Sequence, residues 1–312
     1  MQERAKGMPV LVLDAGNALF KTPMPGDPKE RARAELLLEQ MGELGTEAMA
    51  VGARDLTLGT DFLVKAGKGA KKPKLLSANL VDAGGKPLFP ASTVVTVGGV
   101  KFGLVGLSPE GPVATQKGVV GQPPVPAALA ESRRLREKEK VDVVVVLAAL
   151  PYLEALSLSK VAGNAVDFIV QSHESRGPGV AQRNEYATLI PPGERGRQLA
   201  RLELNLEGKG PFVDLTETER AKENLRILDT NLRQAKDRLA TLKDETSRRA
   251  LEETVASFEA RRKALVMQTT PSTQAPGRSH RLSYVSLGPE VADDPEVKKR
   301  VERIEPLGSA SH

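Results

Sequence analysis

Any metal site in this chain has to be assembled from His, Asp, Glu or Asn side chains, because the sequence contains no cysteine. Imidazole is the usual neutral metal ligand and general base near neutral pH. With only His173, His280 and His312 to supply it, the sequence argues against a multi-histidine centre. Thiolate metal sites, cysteine nucleophiles and disulfides are ruled out together. Aromatic side chains are scarce, with 7 Phe, 3 Tyr and no Trp, which disfavours the stacking platforms of single-strand nucleic-acid binders. The formal net charge is only +5 over 312 residues, and no nucleic-acid partner is expected. The one local concentration of basic residues is Lys65, Lys68, Lys71, Lys72 and Lys74, set among Gly67, Gly69 and Pro73. It reads as a solvated connection, with an anion-binding loop as the alternative.

The elements that would position these residues follow from hydrophobic patterning. Short, nearly continuous apolar runs at 10–13, 48–51, 75–78, 141–147 and 166–170 read as strands buried on both faces. Between them, 28–44, 126–140 and 152–162 have the spacing of amphipathic helices that cover a sheet. One antiparallel hairpin is expected, 93–97 with 100–107, because Gly98-Gly99 supplies the positive φ angles of a tight turn. The sheet is therefore expected to be mixed, with 199–206 alternating as an edge strand that has one face wet. Ligands of open α/β sheets bind at the carboxyl ends of strands. That directs attention to the loops 14–20, 52–61, 148–153 and 171–177.

Composition changes after residue 210. Residues 214–268 contain no Gly or Pro and hold 12 basic and 11 acidic residues. Leu225, Leu228, Leu232, Ala235, Leu239 and Leu242 step by three and four along one seam. The phase slips near 243–247 and resumes at Leu251, Val255, Phe258 and Leu265. The sequence therefore predicts a coiled-coil helical hairpin, a surface for a protein partner or for self-association. The expected organisation is a domain over 1–213, the hairpin over 214–268, and a linker with a flexible tail over 269–312. Within the last segment, 268–283 reads as linker, and Asp294 is placed to cap a short helix starting at Pro295. No run approaches the roughly 18 uncharged apolar residues of a membrane helix, so no transmembrane segment is expected. The chain opens Met1-Gln2-Glu3-Arg4 without an apolar signal core. That start favours the cytoplasm, while a strand pattern beginning so abruptly suggests an upstream segment absent from this sequence.

Six stretches in order resemble the landmarks of 5′-nucleotidases, members of the calcineurin-like metallophosphoesterase superfamily. Leu13-Asp14-Ala15-Gly16-Asn17-Ala18-Leu19-Phe20 is similar to the family's Asp-Ala-Gly-Asp-x-Leu/Phe stretch, and Gly52-Ala53-Arg54-Asp55-Leu56-Thr57 to its Gly-Asn-His-Glu-Phe-Asp segment. Leu76-Ser77-Ala78-Asn79-Leu80 and Gly99-Val100-Lys101-Phe102-Gly103-Leu104-Val105-Gly106-Leu107 are similar to the next two. The run from Val141 through Leu147 to Ala148-Ala149-Leu150-Pro151 stands where Leu-Ser-His-x-Gly is expected. Gln171-Ser172-His173-Glu174-Ser175 stands where Gly-His-x-His is expected. The resemblance spans roughly residues 9 to 206. It implies a four-layer α/β/β/α sandwich with mixed sheets, followed here by the helical hairpin.

Family chemistry uses two divalent metals held by Asp, Asn and His ligands to activate water against a phosphate ester. The resemblance puts Asn17 at the bridging Asp, Ala53 at the ligand Asn, Arg54 at the catalytic His, Ala149 at a ligand His and Ser175 at the last His, so that His173 alone is retained. Alanine cannot coordinate, and a guanidinium repels metals while suiting phosphate or carboxylate. The expectation is therefore no dinuclear metal site, no cofactor and no catalytic residue. Asp14, Asn17, Arg54, Asp55, His173 and Ser175 remain as vestigial site positions, with an anion or phosphate ligand expected near Arg54. His173 reads either as a surviving ligand or as a pocket-lining histidine bonded to backbone. Arg54 reads as an anion clamp or as the partner of Asp55 or Glu174. The expected function is a degenerate 5′-nucleotidase-like binding or assembly module. The alternative is an active metal-dependent phosphohydrolase completed by an upstream segment. The resemblance also implies the periplasm or cell envelope.

Overall fold

A computed structural model describes residues 6–69, 71–175, 177, 181–184, 186–193, 196–269 and 277–306. The tail beyond 306, with His312, and residues 270–276 of the expected linker lie outside the described residues. The chain forms two compact units, one from residues up to Leu199 together with those from Ser286 onward, the other from Ala200–Val285.

The first unit begins with β1 (Val12–Asp14), α1 (Glu30–Glu43), β2 (Thr46–Ala50), α2 (Gly59–Ala66) and β3 (Lys74–Leu76). The three strands pair in parallel in the order β1-β2-β3. Ala34 and Leu38, one turn apart on α1, and Phe62 and Leu63 of α2 pack with Met49 and Leu75 of this sheet into one apolar core. Short β4 (Leu80–Val81) is followed by β5 (Ser92–Val97) and β6 (Val100–Leu107). These last two form the expected hairpin, with Gly98 at φ 59° and Gly99 at φ 81°. Short β7 (Gly111–Pro112) and β8 (Val120–Gly121) complete a small sheet with β4.

α3 (Pro124–Arg134) starts with proline in its first turn, where no amide donor is needed, and ends in a π-helical turn over Leu135–Glu139. β9 (Val143–Ala148) follows, its four consecutive valines buried on both faces. Then come α4 (Tyr152–Val161), β10 (Phe168–Gln171), β11 (Gln182–Asn184) and β12 (Ala187–Ile190). The six-stranded sheet has the order β11-β12-β10-β9-β6-β5, mixed as expected. Ala128 of α3 and Ala155 and Leu158 of α4 join Val144, Val146 and Ala148 of β9 in a second core. Helix, three-stranded sheet, six-stranded sheet, helix are the four layers of the metallophosphoesterase sandwich.

The two sheets meet at Gly106. A Cβ there would lie 2.3 Å from the carbonyl oxygen of Leu76, so only glycine permits the approach. The β11–β12 pair was not anticipated: Ala187–Ile190 is only four residues long, although all four are buried.

In the second unit, β13 (Gln198–Asn205), β14 (Val213–Asp214) and β15 (Ser279–Ser286) form a separate sheet in the order β13-β15-β14. This corrects two expectations. The alternating strand is an edge of this sheet and not of the main one, and part of 268–283 is strand instead of linker. His280 and Leu282 alternate as buried residues along β15, a period-2 signal masked by its Ser and Arg content. Between β14 and β15 lie α5 (Leu215–Thr241) and α6 (Glu245–Thr269). Asp214 caps α5 by accepting from the Thr216 amide at 2.8 Å. The expected phase slip is the turn itself, where Asp244 accepts from the Ser247 amide at 2.8 Å. Ion pairs Lys236–Glu259 at 2.6 Å and Arg262–Asp229 at 2.6 Å pair ascending with descending numbers, which makes the helices antiparallel.

α7 (Pro295–Ile304) is capped by Asp294, which accepts from Glu296 and Val297 amides at 2.9 and 3.1 Å. It returns to the first unit, where Arg300 pairs with Glu39 of α1 at 2.5 Å. No described helix is long and apolar enough to cross a membrane.

Because the Leu76 carbonyl already occupies the place of a side chain at Gly106, Gly106→Ala should cost about 2 kcal/mol or more of stability. A urea midpoint equal to wild type, followed by circular dichroism, would contradict this close contact of sheets.

Candidate functional site

The parallel strands β1, β2, β6, β9 and β10 bring their carboxyl ends to one edge of the sandwich, and the four expected loops meet there. The first loop turns sharply at Gly16, with φ 90°. A Cβ on Gly16 would stand 2.6 Å from the Ala50 carbonyl oxygen and 3.2 Å from the Ala149 methyl. The fourth-loop position at Ala149 therefore packs against the first loop and offers it only a methyl group. Asp14 orders the same turn by accepting from the Gly16 amide at 2.7 Å.

Asn17 follows in the left-handed region at φ 61°, a conformation that asparagine tolerates better than most residues. Its side chain connects three loops. Nδ2 donates to the Ser172 carbonyl at 2.7 Å, and Oδ1 accepts from the Arg54 amide at 3.2 Å. Gly52 makes room for it, since a Cβ there would meet Asn17 Oδ1 at 2.4 Å. The Ser172 hydroxyl donates to the Gly16 carbonyl and closes the circuit.

Asp55 lies beneath this circuit and is fully buried. Its Oδ2 accepts from the amides of Asn17 at 2.7 Å and Gly52 at 2.8 Å, and its Oδ1 accepts from Ala18 and Leu19, each at 3.0 Å. Burial pushes its carboxyl up to about 7, the amides of Leu19, Gly52 and Asn17 pull it down, and the neighbouring Asp14 adds to the upward push. Burial likewise raises Asp14 to about 6 against the Gly16 amide.

Arg54 takes Glu174 as its ion-pair partner, Nη2 to Oε1 at 2.5 Å, while Asp55 is turned to backbone. His173 accepts from the Ser175 amide through Nδ1 at 2.9 Å. Burial lowers the His173 pKa, the Glu174 charge opposes this and the Arg54 charge adds to it. The Ser175 carbonyl accepts from the Tyr152 amide at 3.2 Å and from Gln171 Nε2 at 2.8 Å, which ties the last loop to α4.

Sequence reasoning gave no role to a second polar cluster at the same edge. Asn79 Nδ2 donates to the carbonyls of Ser108 and Gln122 at 2.8 and 2.7 Å, and its Oδ1 accepts from the Ser108 amide at 2.9 Å. The Ser108 hydroxyl donates to the Val51 carbonyl at 2.6 Å. The Leu76–Leu80 stretch had marked the place, but partners that are backbone groups 29 and 57 residues away leave no trace in sequence.

The donor set does not fit a pair of divalent cations. Asp55 is already bonded by four N–H groups, Asn17 oxygen faces an amide, Ala53 and Ala149 carry no donor atom, and the Arg54 guanidinium adds positive charge. Among the described residues no group of three or more His, Asp or Glu side chains is arranged to hold a metal ion.

No protein-family model matches the chain. Over 203 residues it is 26% identical to a 5′-nucleotidase of Vibrio cholerae, an alignment covering 58% of this chain and 36% of that protein. Over 143 residues it is 29% identical to an apyrase of Tabanus yao, covering 43% of this chain and 25% of that protein. The crystal structure of a 5′-nucleotidase precursor from Thermus thermophilus superimposes with a TM-score of 0.56 at 26% identity, covering 67% of this chain and 45% of that one. The chain thus spans less than half the length of these relatives. Its fold is that of the 5′-nucleotidases, and its relationship is to this nucleotidase-like group of phosphoester hydrolases.

The raised folded-state value for Asp14 means that the folded chain keeps a proton which the unfolded chain releases near pH 4. The stability it contributes is complete below about pH 4 and is lost as pH rises through about 6. His173 acts in the opposite sense, so the informative comparison is wild type against Asp14→Asn, which keeps the acceptor for Gly16. Wild type should lose roughly 1–2 kcal/mol more than the variant between pH 4.5 and 7.5, read from urea midpoints. Parallel pH profiles would contradict the raised Asp14.

Proposed function

We propose that this chain is a degenerate 5′-nucleotidase-like protein, lacking the dinuclear centre and acting as a binding or assembly module. The observation that carries the reading is that the groups at the old ligand positions are either unable to coordinate, as at Ala53 and Ala149, or committed to bonds within the chain, as at Asn17. Arg54, at the position of the family's catalytic histidine, cannot serve as a general acid near neutral pH. Its fork is suited to an oxyanion, and the ion pair with the mostly exposed Glu174 keeps it available to a competing phosphate or carboxylate. The α5–α6 hairpin supplies the surface for a protein partner or a second copy. The family resemblance supports the periplasm or cell envelope as its location.

Metal content per chain after dialysis against Mn²⁺ and Zn²⁺, measured by inductively coupled plasma mass spectrometry, tests the reading together with phosphate release from a nucleoside 5′-monophosphate. The expected result is far below one equivalent and no metal-dependent release. About two equivalents with metal-dependent turnover would overturn it in favour of an active phosphohydrolase. For the anion, Glu174→Gln should tighten inorganic phosphate binding several-fold by calorimetry, and Arg54→Gln should abolish it. Equal binding by all three proteins would place the anion elsewhere.

A further inference from the structure

Three consecutive backbone amides, of Asn17, Ala18 and Leu19, and a fourth, of Gly52, converge on one fully buried point between the loops that follow β1 and β2. Convergent main-chain N–H groups of this kind form an anion-binding concavity, whatever fills it. We infer that these four amides are an anion site whose resident is the chain's own Asp55, and that this carboxylate ties together the loops that follow β1 and β2. The inference stands independently of whether any activity remains.

The geometry supports the assignment in two ways. Each carboxylate oxygen takes two donors at 2.7–3.0 Å, so the bonding is balanced between the oxygens and uses amides that β1 and β2 leave unpaired. The left-handed turn at Asn17, φ 61°, aims its own amide and the next two in one direction, and the same turn brings Asn17 Nδ2 to Ser172. Asp55 is thus a positioning residue. It holds the first loop in the shape that sets Asn17 and, through the Asn17 contact to the Arg54 amide, the root of the Arg54 side chain.

If the site is an anion concavity, emptying it should create a place for a free carboxylate of the same size. Asp55→Ala is refolded in sodium formate and, as control, in sodium chloride at equal ionic strength. Its urea midpoint in chloride should be clearly below wild type, and formate should raise it in a concentration-dependent manner, while wild type responds equally to both salts. A variant as stable as wild type, or one whose midpoint is the same in both salts, would overturn the inference. Should the variant fail to fold in either salt, hydrogen exchange of the wild-type protein decides. The four amides should exchange as slowly as those of β6 although they lie in loops, and exchange within the first minutes would overturn the assignment.

Discussion

A carboxylate can sit in a protein interior only where donors replace the water it has lost. Asp55 meets that requirement entirely with main-chain amides, and the rest of the strand-end edge is arranged around it. Three of its four donors come from the loop after β1, a segment more than 35 residues earlier in the chain, so each bond is also a long-range tie. Asn17 extends the tie to a third loop through Ser172, and Ser172 returns it to Gly16. A ring of short polar contacts therefore joins three loops that belong to both sheets, in addition to the close backbone approach at Gly106.

The same contacts explain the chemistry that the edge does and does not offer. Asp55 and Asn17 direct their side-chain oxygens to N–H donors of the chain. What faces outward is Arg54 with Glu174, beside His173. At this edge the Arg54–Glu174 ion pair lies beside loops that are joined to one another by bonds within the chain. Function in folds of this kind resides in the site and not in the scaffold.

Much of this was legible in the sequence, for identifiable reasons. Runs such as Val143 to Val146 are unambiguous because stiff β-branched residues leave few alternatives, and Gly98-Gly99 is an equally direct signal for the hairpin. The partner of Arg54 was left between Asp55 and Glu174, since one residue's neighbour in sequence and another 120 positions away are equally plausible until the loops are packed. The role of Asp55 was not legible, because its partners are amides, which every residue carries. β12 and β15 were missed because four residues are too few to show a period, and because Ser and Arg on the wet face of β15 look like linker.

The central proposal is that this chain lacks the dinuclear centre and that loop-to-loop bonds within the chain, centred on Asp55, hold this edge together. Thermal unfolding of the whole chain with excess EDTA and with millimolar Mn²⁺ tests it most directly, since a ligand bound only by the folded state raises the midpoint by mass action. The account predicts the same midpoint in both. A rise of about 5 °C or more in Mn²⁺, abolished by EDTA, would mean that the folded edge binds the ion and would contradict it.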